Sequence, residues 1–150
     1  MDSKFKREVM LEHYQKPINR GLIEDLSYQK INTRNASCVD NVDIMLKIED
    51  NKIIDIRFDG EACAISTSAT SIMIKTLIGK TIGEVEEIIN NYENMLNEEE
   101  YDSGILEELI VYDEIYKQPS RKRCALLPFE AIKKVLEDTK NNQKEIEEVI

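Results

Sequence analysis

The residues of this sequence best suited to chemistry are its three cysteines, Cys38, Cys63 and Cys124, together with Asp40, two positions after the first of them. Thiolate sulfur and carboxylate oxygen suit one tetrahedral zinc ion or the edge of an iron–sulfur cluster, and a thiolate can also carry sulfur. No two cysteines form a C-x-x-C pair, so their spacing lacks the specificity of a zinc ribbon. From the residues alone, the interpretation stops at a metal site of three cysteines and one aspartate.

The local sequence around each cysteine favours the thiolate form. Cys63 stands where a predicted strand gives way to a predicted helix, and the positive end of a helix dipole stabilises a thiolate. Cys124 directly follows three cations at 121–123, which we expect to lower its pKa. Cys38 lies in a polar loop, where an exposed thiol can deliver or receive a group. Each feature also has an interpretation without a functional role. Cys63 can be a small core side chain, residues 121–123 can be a solvated helix start, and Asp40 can be a turn residue.

The composition indicates one soluble globular domain over the 150 residues, with 41% hydrophobic and 33% charged residues. No apolar run approaches the roughly 20 residues that cross a bilayer. The start of the sequence lacks the apolar stretch of a secretory signal, and an odd number of cysteines argues against a disulfide framework. We therefore expect a cytoplasmic protein with reduced thiols. The net charge of −10 argues against nucleic-acid binding.

Alternating apolar and polar residues predict a β-hairpin over about residues 42–58, with its turn at Asp50 and Asn51. A further short strand is predicted near residues 28–31. Because the strands come early and helical patterns dominate later, the fold class is α+β, a small antiparallel sheet packed by several helices.

Helical periodicity predicts four helices, over about residues 3–15, 65–78, 81–96 and 121–138. Ser3 is the expected cap of the first helix, and Thr81 with Glu84 forms a capping box for the third. The apolar stripe of the first helix is predicted to be Phe5, Val9, Met10 and Tyr14. The acidic stretch 97–117 is predicted to hold one short helix around 105–112. From residue 139 the tail either stays helical or frays.

Two single residues carry separate expectations. His13, the one histidine, is expected on the surface or as a helix cap. Pro128 lacks the N–H that would bond the carbonyl of Cys124, so the last helix either loses that bond and kinks or begins near Pro128. In both cases Cys124 lies at an irregular backbone position.

Four stretches of the sequence resemble the motifs of one family. Residues 12–21, an acidic residue, His and Tyr followed by Pro, Asn and Gly, look like its opening signature. Residues 37–40 are similar to its first ligand loop, usually Cys-Gly-Asp, residues 60–69 to the second and residues 123–127 to the third. In this order, over about residues 5–138, they resemble the U-type iron–sulfur assembly proteins, the NifU N-terminal/IscU/SufU family.

Within that family the chain resembles the SufU type. IscU proteins carry His immediately before the third cysteine, where Arg123 stands here. They also carry a Leu-Pro-Pro-Val-Lys chaperone-recognition segment, which residues 116–120 lack. The long acidic region 97–117 matches the insertion of SufU members between the second and third cysteines.

The resemblance implies zinc held by Cys38, Asp40, Cys63 and Cys124 within the α+β fold. It also implies that a PLP-dependent cysteine desulfurase hands a persulfide sulfur to Cys38, with Arg121 at the contact between the two proteins. Downstream iron–sulfur assembly proteins are the further partners it implies.

One position departs from the family pattern. Val39 stands where the first ligand loop usually has Gly. If that position needs a positive φ, a β-branched residue is strained there and the loop takes another path.

Three hypotheses follow. The leading one is a zinc-dependent sulfur acceptor in iron–sulfur cluster assembly, with a sulfurtransferase-type activity that requires a desulfurase rather than a self-contained enzyme. The second is a scaffold on which the same ligands hold iron or a transient [2Fe–2S] cluster. The third is a non-catalytic interaction domain whose metal is structural or absent.

Overall fold

The computed structural model describes residues 2–36 and 38–149, with side chains through residue 142. In these described residues one α-helix precedes three consecutive β-strands and three α-helices follow them, an α+β arrangement that confirms the predicted fold class. The elements are α1 (Ser3–Gln15), β1 (Gln29–Arg34), β2 (Asn41–Glu49), β3 (Lys52–Glu61), α2 (Ala64–Leu77), α3 (Ile82–Leu96) and α4 (Pro119–Val149), with 3₁₀ helices at Ser103–Ile105, Glu107–Tyr112 and Ile115–Lys117. Among these helices, none combines the length and apolar character that crossing a membrane requires.

The strands form one antiparallel sheet in the order β1-β2-β3. The predicted hairpin is confirmed, and its turn residues Asp50 and Asn51 both have positive φ, which the two-residue turns of hairpins require. The predicted short strand near 28–31 is also present, although it runs further, as β1. Alternate residues are buried away from the turn, as predicted: Val42, Ile44 and Leu46 in β2, and Ile56 and Phe58 in β3. Beside the turn the register shifts between Lys47 and Ile48, and there Ile53 is buried while Ile54 is exposed.

Helix α2 lies at the centre of the molecule, in contact with α1, α4 and β3. Residues 66–74 are buried all round the helix. Its serines and threonines tolerate burial because their hydroxyls are hydrogen-bonded: Thr70 donates to the carbonyl of Ser66 and Thr76 to that of Ile72.

Helix α1 has a different buried face from the predicted stripe. Val9 and His13 are buried, whereas Phe5 and Tyr14 are exposed. Its cap is Asp2, whose carboxylate accepts from the Phe5 N–H at 2.8 Å, and not Ser3. Residue spacing alone did not show that a polar histidine would find partners on the inner side.

The acidic stretch 97–117 is anchored to the core. Instead of one short helix it forms the three 3₁₀ helices, and the middle one buries Leu109, Val111 and Tyr112. The capping box of α3 is present, with Thr81 and Glu84 bonded reciprocally. Helix α4 begins at Pro119 and continues past Pro128, so the prediction of a helix start near Pro128 is wrong.

Candidate metal centre

Three separate segments bring Cys38, Asp40, Cys63 and Cys124 together. They are the turn between β1 and β2, the start of α2 and the beginning of α4. One ligand atom from each of the four side chains lies within 4.8 Å of the others. The convergence on which the sequence interpretation depended is therefore present.

Cys63 is the N-cap residue of α2, as the sequence indicated. Its backbone is extended, and its Sγ accepts from the Ser66 N–H at 3.4 Å. A sulfur atom thus takes the place that a serine or aspartate oxygen usually takes at a helix start. The peptide dipoles of α2 point their positive end at this sulfur and favour negative charge there.

Gly60 lets β3 approach β2 closely just before Cys63. Its φ is +137°, and a Cβ at this position would lie 2.2 Å from the carbonyl oxygen of Asn41. Only glycine fits both conditions. In the sequence Gly60 is recognisable as part of a motif, but its close approach to Asn41 is not.

Asp40 is 2% exposed and is not an ordinary turn residue. Its Oδ1 accepts from the Cys63 N–H at 2.8 Å, and its Oδ2 accepts from the Ser66 hydroxyl at 2.5 Å. Burial acts to raise the pKa of Asp40, but the hydrogen bonds from Ser66 and Cys63 outweigh it, so the pKa lies below its usual value. Asp40 is therefore a carboxylate and offers negative oxygen to a cation.

Cys124 contradicts the expectation of a thiolate stabilised by its neighbouring cations. It is 5% exposed, and burial, with Cys63 and Asp40 close by, raises its pKa to about 12. Arg121 and Arg123 are exposed and do not offset these effects. A protein without metal thus holds Cys124 as a thiol, and a bound cation would have to displace its proton.

Cys38 differs from the other two cysteines because it is exposed. Its N–H donates to the carbonyl of Asn35 at 3.1 Å, while the Asn35 N–H donates to the carbonyl of Asp40 at 3.1 Å. The side-chain amide of Asn35 also reaches Cys124 Sγ at 3.8 Å. These bonds fold the loop back over the buried cysteine.

Val39 is not strained. In the described part of the chain, the non-glycine residues with positive φ are Asn19, Asp50, Asn51, Glu98 and Glu107. Val39 is not among them, and its side chain is 67% exposed. The loop therefore accommodates a β-branched residue where the family usually has glycine.

His13 is buried and lies outside the cysteine cluster, so the prediction of a surface or capping residue is wrong. Its Nδ1 lies 2.7 Å from Ser71 Oγ, and its Nε2 lies 3.4 Å from a carboxylate oxygen of Glu108. Ser71 Oγ also accepts from the Ile18 N–H at 2.8 Å. These bonds tie α1 to α2 and to the middle 3₁₀ helix.

Arg121 lies at the surface one turn before Cys124. It lines a cleft of about 520 Å³ together with Lys6, Lys117 and Glu114, and apolar side chains such as Ile65 line the same cleft. The cleft adjoins the start of α2 and hence the cysteine cluster.

The sequence interpretation also missed Ser66. The available signal was its position three residues after Cys63, the spacing at which an N-cap and an N3 side chain meet. Ser66 is fully buried and contacts all three ligand-bearing segments.

The four side chains fit a tetrahedral zinc ion. Zinc–sulfur bonds of about 2.3 Å place the sulfur atoms of such a site roughly 3.8 Å apart, consistent with donors within 4.8 Å of one another. Three sulfurs select zinc or an iron–sulfur centre over magnesium or calcium, which prefer oxygen ligands. Such an ion would also supply positive charge next to the buried Asp40 carboxylate and Cys124 sulfur.

Comparisons with known proteins agree with these features. The family model described as NifU-like N terminal domain matches residues 5–145. The iron–sulfur cluster assembly scaffold protein IscU of Thermotoga maritima is 30% identical over 129 residues, which cover 86% of this chain and 90% of the relative. The zinc-dependent sulfurtransferase SufU of Bacillus subtilis is also 30% identical over 129 residues, covering 85% of this chain and 86% of the relative.

Solved structures show the same fold. A protein of Fervidobacterium islandicum AW-1, described as an iron–sulfur cluster assembly scaffold protein for the SUF system, has a TM-score of 0.80 and 32% identity over 86% of this chain and 94% of its own. The N-terminal NifU-like protein of Brucella abortus has a TM-score of 0.72 at 21% identity, over 87% of this chain and 92% of its own, and supports the fold alone.

The sequence motifs, the α+β fold and the family match all agree. This chain belongs to the NifU-like N-terminal domain family, together with the iron–sulfur cluster assembly proteins to which it is similar.

Proposed function

We propose that this protein is a zinc-dependent sulfur acceptor in iron–sulfur cluster assembly. A PLP-dependent cysteine desulfurase would supply the sulfur, Cys38 would receive it, and downstream assembly proteins would take it. The observation that carries the proposal is the difference in exposure within one cluster: Cys38 is exposed, whereas Cys124 and Asp40 are buried beneath it. The Bacillus subtilis relative, named as a zinc-dependent sulfurtransferase, is a second support.

The metal would be held by Cys38, Asp40, Cys63 and Cys124. Bound zinc would supply positive charge that keeps clustered thiols deprotonated at neutral pH. The protein's own contribution is to place Asp40 and Cys63 at the start of α2, where both are hydrogen-bonded.

Sulfur transfer needs only a thiolate that a second protein can reach. The Cys38 thiolate attacks the terminal sulfur of the desulfurase persulfide and forms a new S–S bond. The bond between that sulfur and the desulfurase cysteine breaks, and that cysteine leaves as a thiolate. One sulfur atom moves and no external oxidant or reductant is needed.

Arg121 is the proposed contact with the desulfurase. It is an exposed cation at the edge of the cleft beside the cluster, on a chain whose net charge is −10. An exposed cation on an acidic protein can give the encounter with a negatively charged partner surface a preferred orientation. Because thiols must stay reduced for this chemistry, we place the protein in the cytoplasm.

The test is the replacement Cys38→Ser with Val39→Thr as the matched control in the same loop. Cys38→Ser should no longer accelerate the desulfurase or acquire an extra sulfur atom by mass spectrometry, whereas Val39→Thr should behave like the parent. Unchanged acceleration by Cys38→Ser would refute the acceptor role.

A scaffold function is the second candidate, and the same donor set favours it because three thiolates can also hold a [2Fe–2S] cluster. The Thermotoga maritima relative is named as a scaffold protein. Anaerobic reconstitution with iron and sulfide separates the two functions. A stable chromophore that transfers to an apo-protein supports the scaffold, and retained zinc without a chromophore supports the acceptor.

A further inference from the structure

Ser66 lies at the meeting point of the three segments that form the cysteine cluster. Its Oγ is 2.5 Å from Asp40 Oδ2, 3.5 Å from Cys63 Sγ and 3.2 Å from the carbonyl oxygen of Cys124. The Cys124 carbonyl is within reach of a side chain because Pro128 has no N–H to offer it. The whole of Ser66 is 0% exposed.

The single hydroxyl proton can serve either the Asp40 carboxylate or the Cys124 carbonyl at one time. A carboxylate is a stronger acceptor than a neutral carbonyl, and charge-assisted O–H···O⁻ bonds are about 2.5–2.7 Å long. The distance of 2.5 Å assigns the proton to Asp40, while the 3.2 Å separation from the Cys124 carbonyl remains a weaker polar contact.

Two short hydrogen bonds therefore hold the Asp40 carboxylate, one at each oxygen, while the Cys63 thiol lies farther away, 3.9 Å from Oδ2. The Cys63 N–H holds Oδ1, and the Ser66 hydroxyl holds Oδ2. With one donor the carboxylate could still rotate about the remaining bond, whereas two donors define the plane of the group. Each oxygen keeps a further lone pair that a cation can use.

We propose that Ser66 is a positioning residue of the metal site, which acts through Asp40 by orienting its carboxylate toward the bound ion. The inference deepens the proposed zinc site and rests on it. Ser66 itself is not a ligand. No solvent reaches the hydroxyl, so water cannot readily replace it as a donor when it is removed.

The variant Ser66→Ala removes the hydrogen bond to Asp40, together with the longer contacts to Cys63 Sγ and to the Cys124 carbonyl. Partners of this kind typically change metal affinity by about 10–100-fold, so Ser66→Ala should weaken zinc binding by that factor. The control is Ser68→Ala, two positions along the same helix, where a buried hydroxyl is paired with Tyr112 instead of Asp40. Zinc affinity is measured by competition with a chromophoric chelator, after circular dichroism has shown that both variants fold.

The visible absorption spectrum of the cobalt-substituted protein reports on the ligand geometry and would not change if Ser66→Ala affected only the stability of the fold. Because the Asp40 carboxylate changes orientation, the visible d–d bands of the Co²⁺ form should shift in Ser66→Ala and stay in place in Ser68→Ala. Parent-like zinc affinity and an unshifted spectrum in Ser66→Ala would overturn the assignment.

A double-mutant cycle tests whether Ser66 acts through Asp40. In an Asp40→Ala background, Ser66→Ala should have little further effect on zinc affinity, because the group that it positions is absent. A full 10–100-fold loss in that background contradicts the inference. The readout is zinc binding and not sulfur transfer, so failure here leaves the role of Cys38 unaffected.

A measurement on the parent protein keeps the inference testable if Ser66→Ala does not fold. A hydroxyl proton held by a buried carboxylate exchanges slowly with water, so the zinc form should show a protected Ser66 hydroxyl resonance by NMR. Rapid exchange of that proton in the folded zinc form would contradict a fixed bond to Asp40.

Discussion

The sulfur atoms of Cys38 and Cys124 lie within 4.8 Å of each other, yet Cys38 is exposed whereas Cys124 is buried, with only 5% of its surface accessible. The turn between β1 and β2 carries Cys38 on the surface, while α4 packs Cys124 against α2. The two thiols thus have different environments within one cluster, which suits a division between a reactive sulfur and a retained ligand.

Replacing Cys124 with Ala should abolish tight zinc binding. Loss of a direct ligand should weaken zinc affinity by more than the roughly 10–100-fold that is typical when a hydrogen-bond partner of a ligand is removed, because the ion loses one of four donors. Chelator competition measures the change. The site would need a different donor set if Cys124→Ala kept the affinity of the parent.

Zinc affinity should rise with pH. Cys124 in the metal-free protein has a pKa raised to about 12, so it is a thiol at neutral pH and must release its proton when zinc binds. Each proton released makes the affinity about tenfold stronger per pH unit as long as the pH stays below that pKa.

The measurement is a series of chelator competitions between about pH 6.5 and 8.5, together with calorimetry in buffers of different ionisation enthalpy. We expect a slope of at least one proton per ion. An affinity that does not change with pH would mean that Cys124 is already deprotonated or does not bind the ion.

The change Val39→Gly should lower stability slightly and leave zinc affinity unchanged. Val39 has no positive φ and is 67% exposed, so glycine relieves no strain and only increases the freedom of the unfolded chain, at a cost of about 0.4–1 kcal/mol. Urea unfolding measures the difference. A gain in stability would show that the valine is strained.

The change Gly60→Ala should destabilise the protein by about 1–3 kcal/mol, because its φ of +137° and the nearby Asn41 carbonyl both oppose a Cβ. It should also weaken zinc binding, since Cys63 follows closely along the chain. Gly83→Ala in α3 is the control, as a Cβ there meets no atom within 4 Å. Equal stability of the two variants by urea unfolding would contradict the close approach of β3 to β2.

Local patterns were sufficient to predict much of the fold. The alternation of residues 42–58 defined the hairpin, and Thr81 with Glu84 defined the start of α3, because both signals depend on residues close in sequence. The ligand motifs were also recognisable in order along the chain.

Local patterns could not predict the burial of a side chain or its partners from distant segments. The cations before Cys124 suggested a lowered pKa, but they are exposed, and packing against α2 and Asp40 raises it instead. His13 and Ser66 were missed for the same reason. Their partners come from distant segments, so only the assembled fold brings them together.

The most direct test of the central claim is to mix the zinc-loaded protein with a persulfide-bearing cysteine desulfurase and locate the transferred sulfur by peptide mass spectrometry. We expect one added sulfur atom on Cys38, and none on Cys63 or Cys124. Sulfur found on Cys63 or Cys124 instead of Cys38, or no transfer while zinc stays bound, would contradict the acceptor function.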